Sequence, residues 1–309
     1  MKSPRLNSVT VRVPGSTSNC GAGFDTLGLA LQLYNEVTLT RAPRGMIEPA
    51  GGDSIRGLPL VRAALDVFNR RTGGAAKKFG FTFAIGGDVP IARGLGSSVT
   101  VIAGVLAALN ELAAAGLTRR EIAEMAAAVE GHPDNATAGV FGGFCVGRTD
   151  PATGALLGAI RIAVPAGLSF VVCSPALEMP TKKARAVLPQ KIRHADAVRS
   201  INSAAYLTAA FATRDYARLR HAVADFMHEP FRLPRIPGAR AAITAGIDAG
   251  ALTGWLSGSG SSVLCVVRGR DTRRTGRAMA QAFAGEKISS RVFVLRADNR
   301  GLRVTRRRR

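Results

Sequence analysis

Apolar and polar residues alternate through Val9, Val11 and Val13, and apolar positions recur at Leu31, Leu33, Val37 and Leu39. The first 40 residues therefore predict two strands joined by a glycine-rich connection over 21–28. From Leu60 to Arg71 the apolar spacing becomes helical, Gly73 and Gly74 end that run, and a strand is expected from Phe79 to Ile85. The segment Ser98 to Leu112 is apolar nearly all round, which marks a helix inside a domain, with its N-terminus opening onto the preceding glycine loop. Thr118 followed three residues later by Glu121 is a capping box that starts another helix, with the stripe Ile122, Met125, Ala126 and Val129. At about 100° per residue Glu124 falls opposite that stripe and Glu130 at its edge, so only Glu130 is placed to face a cleft. Gly131 and Pro133 end the helix. His132, Asp134 and Asn135 are then expected on an irregular loop leading to a strand that ends near Gly147.

A stretch rich in Gly, Ala and Pro, 149–167, reads as a loop and domain boundary before the strand LSFVVCS. Beyond it lie helical patterns over 196–213, 215–227 and 238–249, a strand pair around SGSGSS, a helix over 272–284 and a strand over 291–295. Strands and helices mix without strict βαβ alternation, and no repeat is visible, so the expected class is α+β with two domains, 1–165 and 166–304. Residues 305–309 read as a basic tail.

Composition changes this picture little until charge is considered. No window approaches the roughly 18 apolar residues of a membrane span, and the opening MKSPRLNSVTVRV lacks the apolar block of a signal peptide, so a cytoplasmic protein without membrane contact is expected. Cys20, Cys145, Cys173 and Cys265 are widely spaced and form no C-x-x-C pair, which argues for buried reduced thiols over a metal cluster or disulfide framework. The formal net charge of +21 raises the question of nucleic acid. The basic residues are spread along the chain and only 6% of residues are aromatic, so no stacking platform appears. A solvated basic surface that also attracts anionic small molecules fits better, and no specific nucleic-acid partner is expected.

In PIARGLGSS, Gly94 and Gly96 allow tight turns and close approach to a ligand, and Ser97 and Ser98 open a helix with free N–H groups. Such a loop cradles a polyphosphate through amide groups and the positive end of the helix dipole. A tight strand-to-helix turn is the plainer reading, and the Walker A pattern is absent because no Lys follows the last glycine. Two further loops, STSNCGAGFDTLG and LSGSGSS, carry small residues suited to the same crowded cleft.

With these three loops the resemblance becomes specific. PIARGLGSS and LSGSGSS resemble the second and third motifs of the GHMP kinase superfamily, and within it the chain is most similar to the homoserine kinase family. VRVPGSTSNCGAGFDTLGLAL is similar to the family's first motif, EGHPDNATAGVFGG to its substrate-loop motif, and TKKAR and EPFR to motifs of its second domain, in the family's order from Val9 to DNRGLRV. Cys20, Gly15 and Ser261 replace the usual Leu, Ala and Pro, and Leu58 stands where an Asn is expected near the adenine. The resemblance implies an N-terminal α/β domain shaped like a ribosomal protein domain and a C-terminal ferredoxin-like α+β domain. It also implies ATP and Mg²⁺ as cofactors and L-homoserine as substrate, phosphorylated on its side-chain hydroxyl for threonine biosynthesis. Family members are often homodimers.

The site residues follow. ATP would be held by Pro90, Ile91, Ala92, Arg93, Gly94, Leu95, Gly96, Ser97 and Ser98, with Gly258 and Gly260. Ser98 and Glu130 offer the hard oxygens that Mg²⁺ takes, with Glu124 as a fallback if the helix turns differently. His132 and Asn135 would line the homoserine pocket, and Asp134 would either accept the hydroxyl proton or orient its neighbours. The substrate's ammonium needs an anion, for which Asp25 is suited with Asn19 beside it. Its carboxylate needs planar forks, for which Arg185 and Arg232 are suited with Thr181. Any one Arg in so basic a chain reads first as surface; the TKKAR and EPFR contexts single out these two. Two rivals stand beside this reading: a kinase for another small alcohol such as mevalonate or a sugar, and a basic nucleic-acid binder on a kinase-like fold.

Overall fold

Strands form where the alternation is cleanest. In β1 (Leu6–Ser18) Val9, Val11 and Val13 are buried and Arg12 between them is exposed. β2 (Leu27–Ala42) runs antiparallel to β1 along most of its length. On its other edge β2 holds two partners: β3 (Ile47–Pro49) lies parallel to β4 (Gly80–Gly87), which pairs with Asn35–Ala42, whereas β5 (Phe144–Thr149) pairs with Leu27–Leu29 and with β6 (Leu156–Ile162). Helices α1 (Leu58–Arg71), α2 (Ser97–Ala113), α3 (Arg119–Glu130) and α4 (Asp134–Phe141) contribute, with the valines of β1, to the first core. α2 buries Val99, Val101, Ile102, Val105, Leu106 and Leu109, so its all-round apolar character is answered by an interior position. The computed structural model describes residues 6–308; residues 1–5 and Arg309 lie outside that range.

The second half runs β7 (Leu168–Pro175), α5 (Thr181–Ala186), α6 (His194–Thr213), α7 (Glu229–Arg232), α8 (Ala239–Asp248), β8 (Thr253–Leu256), β9 (Val263–Arg268), α9 (Thr272–Gly285) and β10 (Ser290–Leu295). Its antiparallel sheet has the order β10-β7-β9-β8, the ferredoxin-like arrangement. One face packs Val171, Cys173 and Cys265 against Met279 and Phe283. The other face packs Phe170, Val172, Leu264 and Val266 against Leu27, Leu29 and Phe144 of the first sheet, with Phe144 stacked on Phe211 of α6 at 4.2 Å. The halves are therefore joined by a continuous apolar core. All four cysteines are free and buried, and burial pushes the thiols of Cys145 and Cys265 up to about 12. Among the described residues no helix is long and apolar enough to cross a membrane.

Four expectations need correction. Asp134 and Asn135 open helix α4 rather than sitting on a loop; Pro133 precedes its first turn, and eight residues are too few to display a period. The stretch 149–167 contains strand β6, an edge strand with weak alternation and Gly158 inside it. Over 215–227 only the short 3₁₀ turn Tyr216–His221 forms. Finally, the closing basic run is not a free tail as far as Arg308. β11 (Arg303–Arg308) pairs antiparallel with β1, placing Val304 opposite Val11 and Arg306 opposite Val9, and Arg306 reaches both carboxylate oxygens of Glu111 at 2.7 and 2.8 Å.

The pairing of β11 with β1 makes the end of the chain part of the fold. Ending the chain after Val304 removes several strand pairings and the Arg306–Glu111 contact, and is expected to cost about 1–3 kcal/mol of stability. Thermal unfolding should show a Tm lower by a few degrees, with turnover at moderate temperature largely kept.

Candidate active site

Three glycine-bearing loops meet over the N-terminus of α2. In the central one Gly94 and Gly96 have φ of 72° and 70°. A Cβ on Gly94 would lie 2.0 Å from the Ser257 carbonyl oxygen, and one on Gly96 would lie 2.4 Å from Ser16 Oγ, so both positions need glycine for space as well as conformation. The loop is tied on both sides. Ser257 Oγ donates to the Gly94 carbonyl at 2.7 Å and the Ser262 amide to that of Arg93 at 3.2 Å, while the Ser16 amide donates to Leu95 at 3.1 Å. Gly96 caps α2 without any side-chain hydrogen bond, and the helix has no acid in its first turn, so its positive end remains open to an anion.

A cavity of about 560 Å³ lies against this loop. Of the phosphate-loop residues expected from sequence, Ile91, Ala92, Arg93, Gly94, Gly96, Ser97 and Ser98 line it, as does Gly258. Pro90, Leu95 and Gly260 are not part of the lining: Leu95 is buried, and the Cα of Gly260 faces Ile236 and Leu256. Ser98 Oγ donates to Glu130, 2.7 and 2.9 Å from its two carboxylate oxygens. Glu124 instead pairs with Arg120 at 2.9 Å on the helix exterior, the division of faces expected from the helical period.

The first turn of α4 forms the adjoining wall. Asp134 Oδ1 lies 2.6 Å from His132 Nδ1 and accepts the Asn135 amide at 2.7 Å. Asn135 accepts from Ser16 Oγ at 2.8 Å and donates to Ser18 Oγ at 3.1 Å, fixing its amide against β1. Burial opposes charge on His132, but the hydrogen bond to Asp134 and the fields of Asp134 and Glu130 outweigh it and raise its pKa.

The charged groups of the other motifs line the same cavity. Asp25, in the left-handed conformation with Asn19 and Cys20, donates its amide to Asn19 Oδ1 at 3.1 Å, and Asn19 Nδ2 donates to the Gly258 carbonyl at 3.0 Å. Arg185 grips Asp25 with two bonds of 2.6 and 3.0 Å. Arg232 is 3% exposed; its Nε donates to Ala184 at 3.0 Å and Nη1 to Gly258 at 3.2 Å. Burial and the neighbouring Arg185 lower its pKa to about 10, which leaves it charged at neutral pH. Thr181 also lines the cavity, at the start of α5.

Ser18, Asn35 and Arg56, together with an apolar end of Leu60, Ile85 and Val101, also line the cavity without having been expected there. The apolar three belong to runs that read as ordinary core, and periodicity does not separate a side chain facing a cavity from one facing a neighbour. Leu58, flagged as the odd residue near the adenine, is partly buried against the first core.

For a hard cation, Ser98 and Glu130 form a two-oxygen set beside the phosphate loop and fit Mg²⁺. Asp25, His132 and Asp134 also bring ligand atoms within 4.8 Å of one another, but Asp25 is engaged by Arg185 and Asp134 by His132 and Asn135.

This geometry can be set beside known proteins. Residues 59–143 match the family model for the N-terminal domain of GHMP kinases, and residues 207–285 match that for the C-terminal domain. The homoserine kinase of Moorella thermoacetica is 37% identical over 296 residues, 94% of this chain and 98% of its own. The chain belongs to the homoserine kinase family. The crystal structure of the family member from Cytophaga hutchinsonii matches it with a TM-score of 0.87 at 27% identity over 99% of both chains. Mevalonate diphosphate decarboxylase from Enterococcus faecalis shares the fold alone, with a TM-score of 0.67 at 16% identity over 98% of this chain and 100% of its own. GHMP kinases take their phosphate from ATP.

The raised pKa of His132 has a defined sign. Its charged pairing with Asp134 stabilises the fold fully below about pH 6.5 and is lost as pH rises through the folded value. In an NMR titration His132 should lose its proton above that reference value, and Asp134→Asn should move the midpoint down.

Proposed function

We propose that the cavity binds ATP along the glycine loop and L-homoserine against Asp25, Arg185 and Arg232, and that it transfers the γ-phosphoryl group to the homoserine hydroxyl to give O-phospho-L-homoserine. The observation that carries this reading is the bidentate Arg185–Asp25 pair in the cavity that the phosphate loop also lines. A lone cation taking Asp25 would strand Arg185 beside Arg232, and a lone anion taking Arg185 would strand Asp25. A zwitterion leaves neither charge alone: its ammonium replaces Arg185 on Asp25 and its carboxylate replaces Asp25 on Arg185.

Phosphoryl transfer asks chiefly for positioning and charge stabilisation. The open end of α2 and the amides of Gly94, Gly96, Ser97 and Ser98 would meet the phosphates, and Arg93 adds a cation to the same lining. Leu60, Ile85 and Val101 supply an apolar slot for the adenine. Ser98 and Glu130 would hold Mg²⁺, which when bound offsets the charge of the polyphosphate. Asn135, locked between Ser16 and Ser18, and His132, oriented by Asp134, face the hydroxyl end of the substrate. Asp134 acts as their orienter, and a loose transition state needs little activation of the alcohol.

The direct test follows ADP release from ATP and Mg²⁺ with L-homoserine, mevalonate, a hexose or buffer alone; turnover should appear with L-homoserine. Glu130→Gln should reduce kcat roughly 10- to 100-fold or more and raise the Mg²⁺ requirement, whereas Glu124→Gln should leave both unchanged. Arg185→Gln should lower kcat/KM for L-homoserine about tenfold to 150-fold, the worth of a charge-assisted hydrogen bond. It should cost 3-amino-1-propanol, which lacks the carboxylate, much less. Equal losses on both alcohols would remove the assignment of Arg185 to the carboxylate.

A further inference from the structure

Two guanidinium groups line the same cavity as the phosphate loop, and a single aromatic ring lies against both. The guanidinium carbon of Arg185 is 5.4 Å from the centroid of Phe24 and that of Arg232 is 5.1 Å away. Both distances fall within the roughly 6 Å over which a ring face attracts a cation. The ring lines the cavity, one residue before Asp25.

We propose that Phe24 is a specificity-determining positioning residue, the plate that holds Arg185 and Arg232 side by side so that together they read a carboxylate. The charge on Arg185 disfavours charge on Arg232, and a ring that attracts both cations offsets part of that repulsion without claiming their N–H donors. Asp25, the acid beside the ring, occupies two donors of Arg185 until a substrate carboxylate replaces it, whereas the ring occupies none.

The plate is itself gripped from behind. His228 is fully buried, with its ring centroid 5.3 Å from that of Phe24 and the two planes inclined by 31°. Its Nε2 donates to the Gly21 carbonyl at 2.8 Å, which leaves Nδ1 as the acceptor 3.4 Å from Arg232 Nη1. The histidine thus joins the loop bearing Phe24 and Asp25 to the helix bearing Arg232. Thr26 Oγ1, donating to the Phe24 carbonyl at 3.0 Å, closes the loop from the other side.

This inference rests on the reading of the cavity as the homoserine site, and the test separates the two. Phe24→Leu keeps bulk and removes the ring face. It should raise KM for L-homoserine about fivefold to thirtyfold, with kcat and the KM for ATP nearly unchanged. It should cost 3-amino-1-propanol little, because that substrate has no carboxylate to present. Phe24→Tyr, which keeps the face, should stay close to the parent. If the leucine variant folds poorly, a series of fluorinated phenylalanines at position 24 weakens the face at nearly constant shape, and log(kcat/KM) for L-homoserine should fall stepwise with fluorine count. Equal losses on both alcohols, no loss with leucine, or a flat fluorine series would overturn the role of Phe24 while turnover of L-homoserine by the parent still stood. A parent protein that does not phosphorylate L-homoserine would overturn both.

Discussion

Everything at this site depends on one close approach, that of the Ser257–Gly258 turn to the backbone of Gly94. Backbone atoms from the two halves of the chain meet there with no room for a side chain, and the Ser257 hydroxyl bonds the Gly94 carbonyl. The contact holds the phosphate loop in its left-handed turns and brings the Gly258 carbonyl to Asn19 and Arg232. A phosphate cradle, the loop of Asp25 and a buried arginine are thereby set by a single junction.

The junction persists because the halves are fused by packing as well as by hydrogen bonds. The lower part of β2, with β5, lies against the ferredoxin-like sheet in a shared apolar core, and Trp255 crosses it to donate to Thr17 at 3.0 Å. Close-packed interiors resist relative displacement, so arginines carried by α5 and α7 can be held against a cavity built mainly on the first half.

Within the cavity, several charged and polar groups are already paired, whereas Arg93 Nη1 is buried without a hydrogen-bond partner among the described residues. Arg185 holds Asp25, Asp134 holds His132, and Ser98 holds Glu130. Buried charge is costly unless compensated, so a ligand must offer the same compensation that it displaces. On the proposed reading a zwitterionic alcohol meets that requirement at Asp25 and Arg185, in the same cavity that the glycine loop lines. On that reading selectivity for the alcohol rests on exchange of partners at the Asp25–Arg185 pair.

Some of this was legible in the sequence because its causes are local. Alternation in β1, the Thr118–Glu121 capping box, the apolar circumference of α2 and the placing of Glu130 and Glu124 on opposite faces each depend on residues a few positions apart. The glycine motifs were readable for the same reason; they carried the family, and most of the residues they singled out line one cavity. What remained hidden depends on partners far along the chain. The run 305–308 looks like part of a solvated tail until the edge of β1 offers it a ladder, and the Asp25–Arg185 pair spans 160 positions. Leu60, Ile85 and Val101 have the pattern of core residues, and only the tertiary packing opens a space in front of them. Sequence alone determined which side chains can do the chemistry, since residue type and local turn geometry are written in neighbouring positions. Tertiary structure decided which of them meet, because a contact between distant residues exists only when the whole sheet and core have placed both backbones.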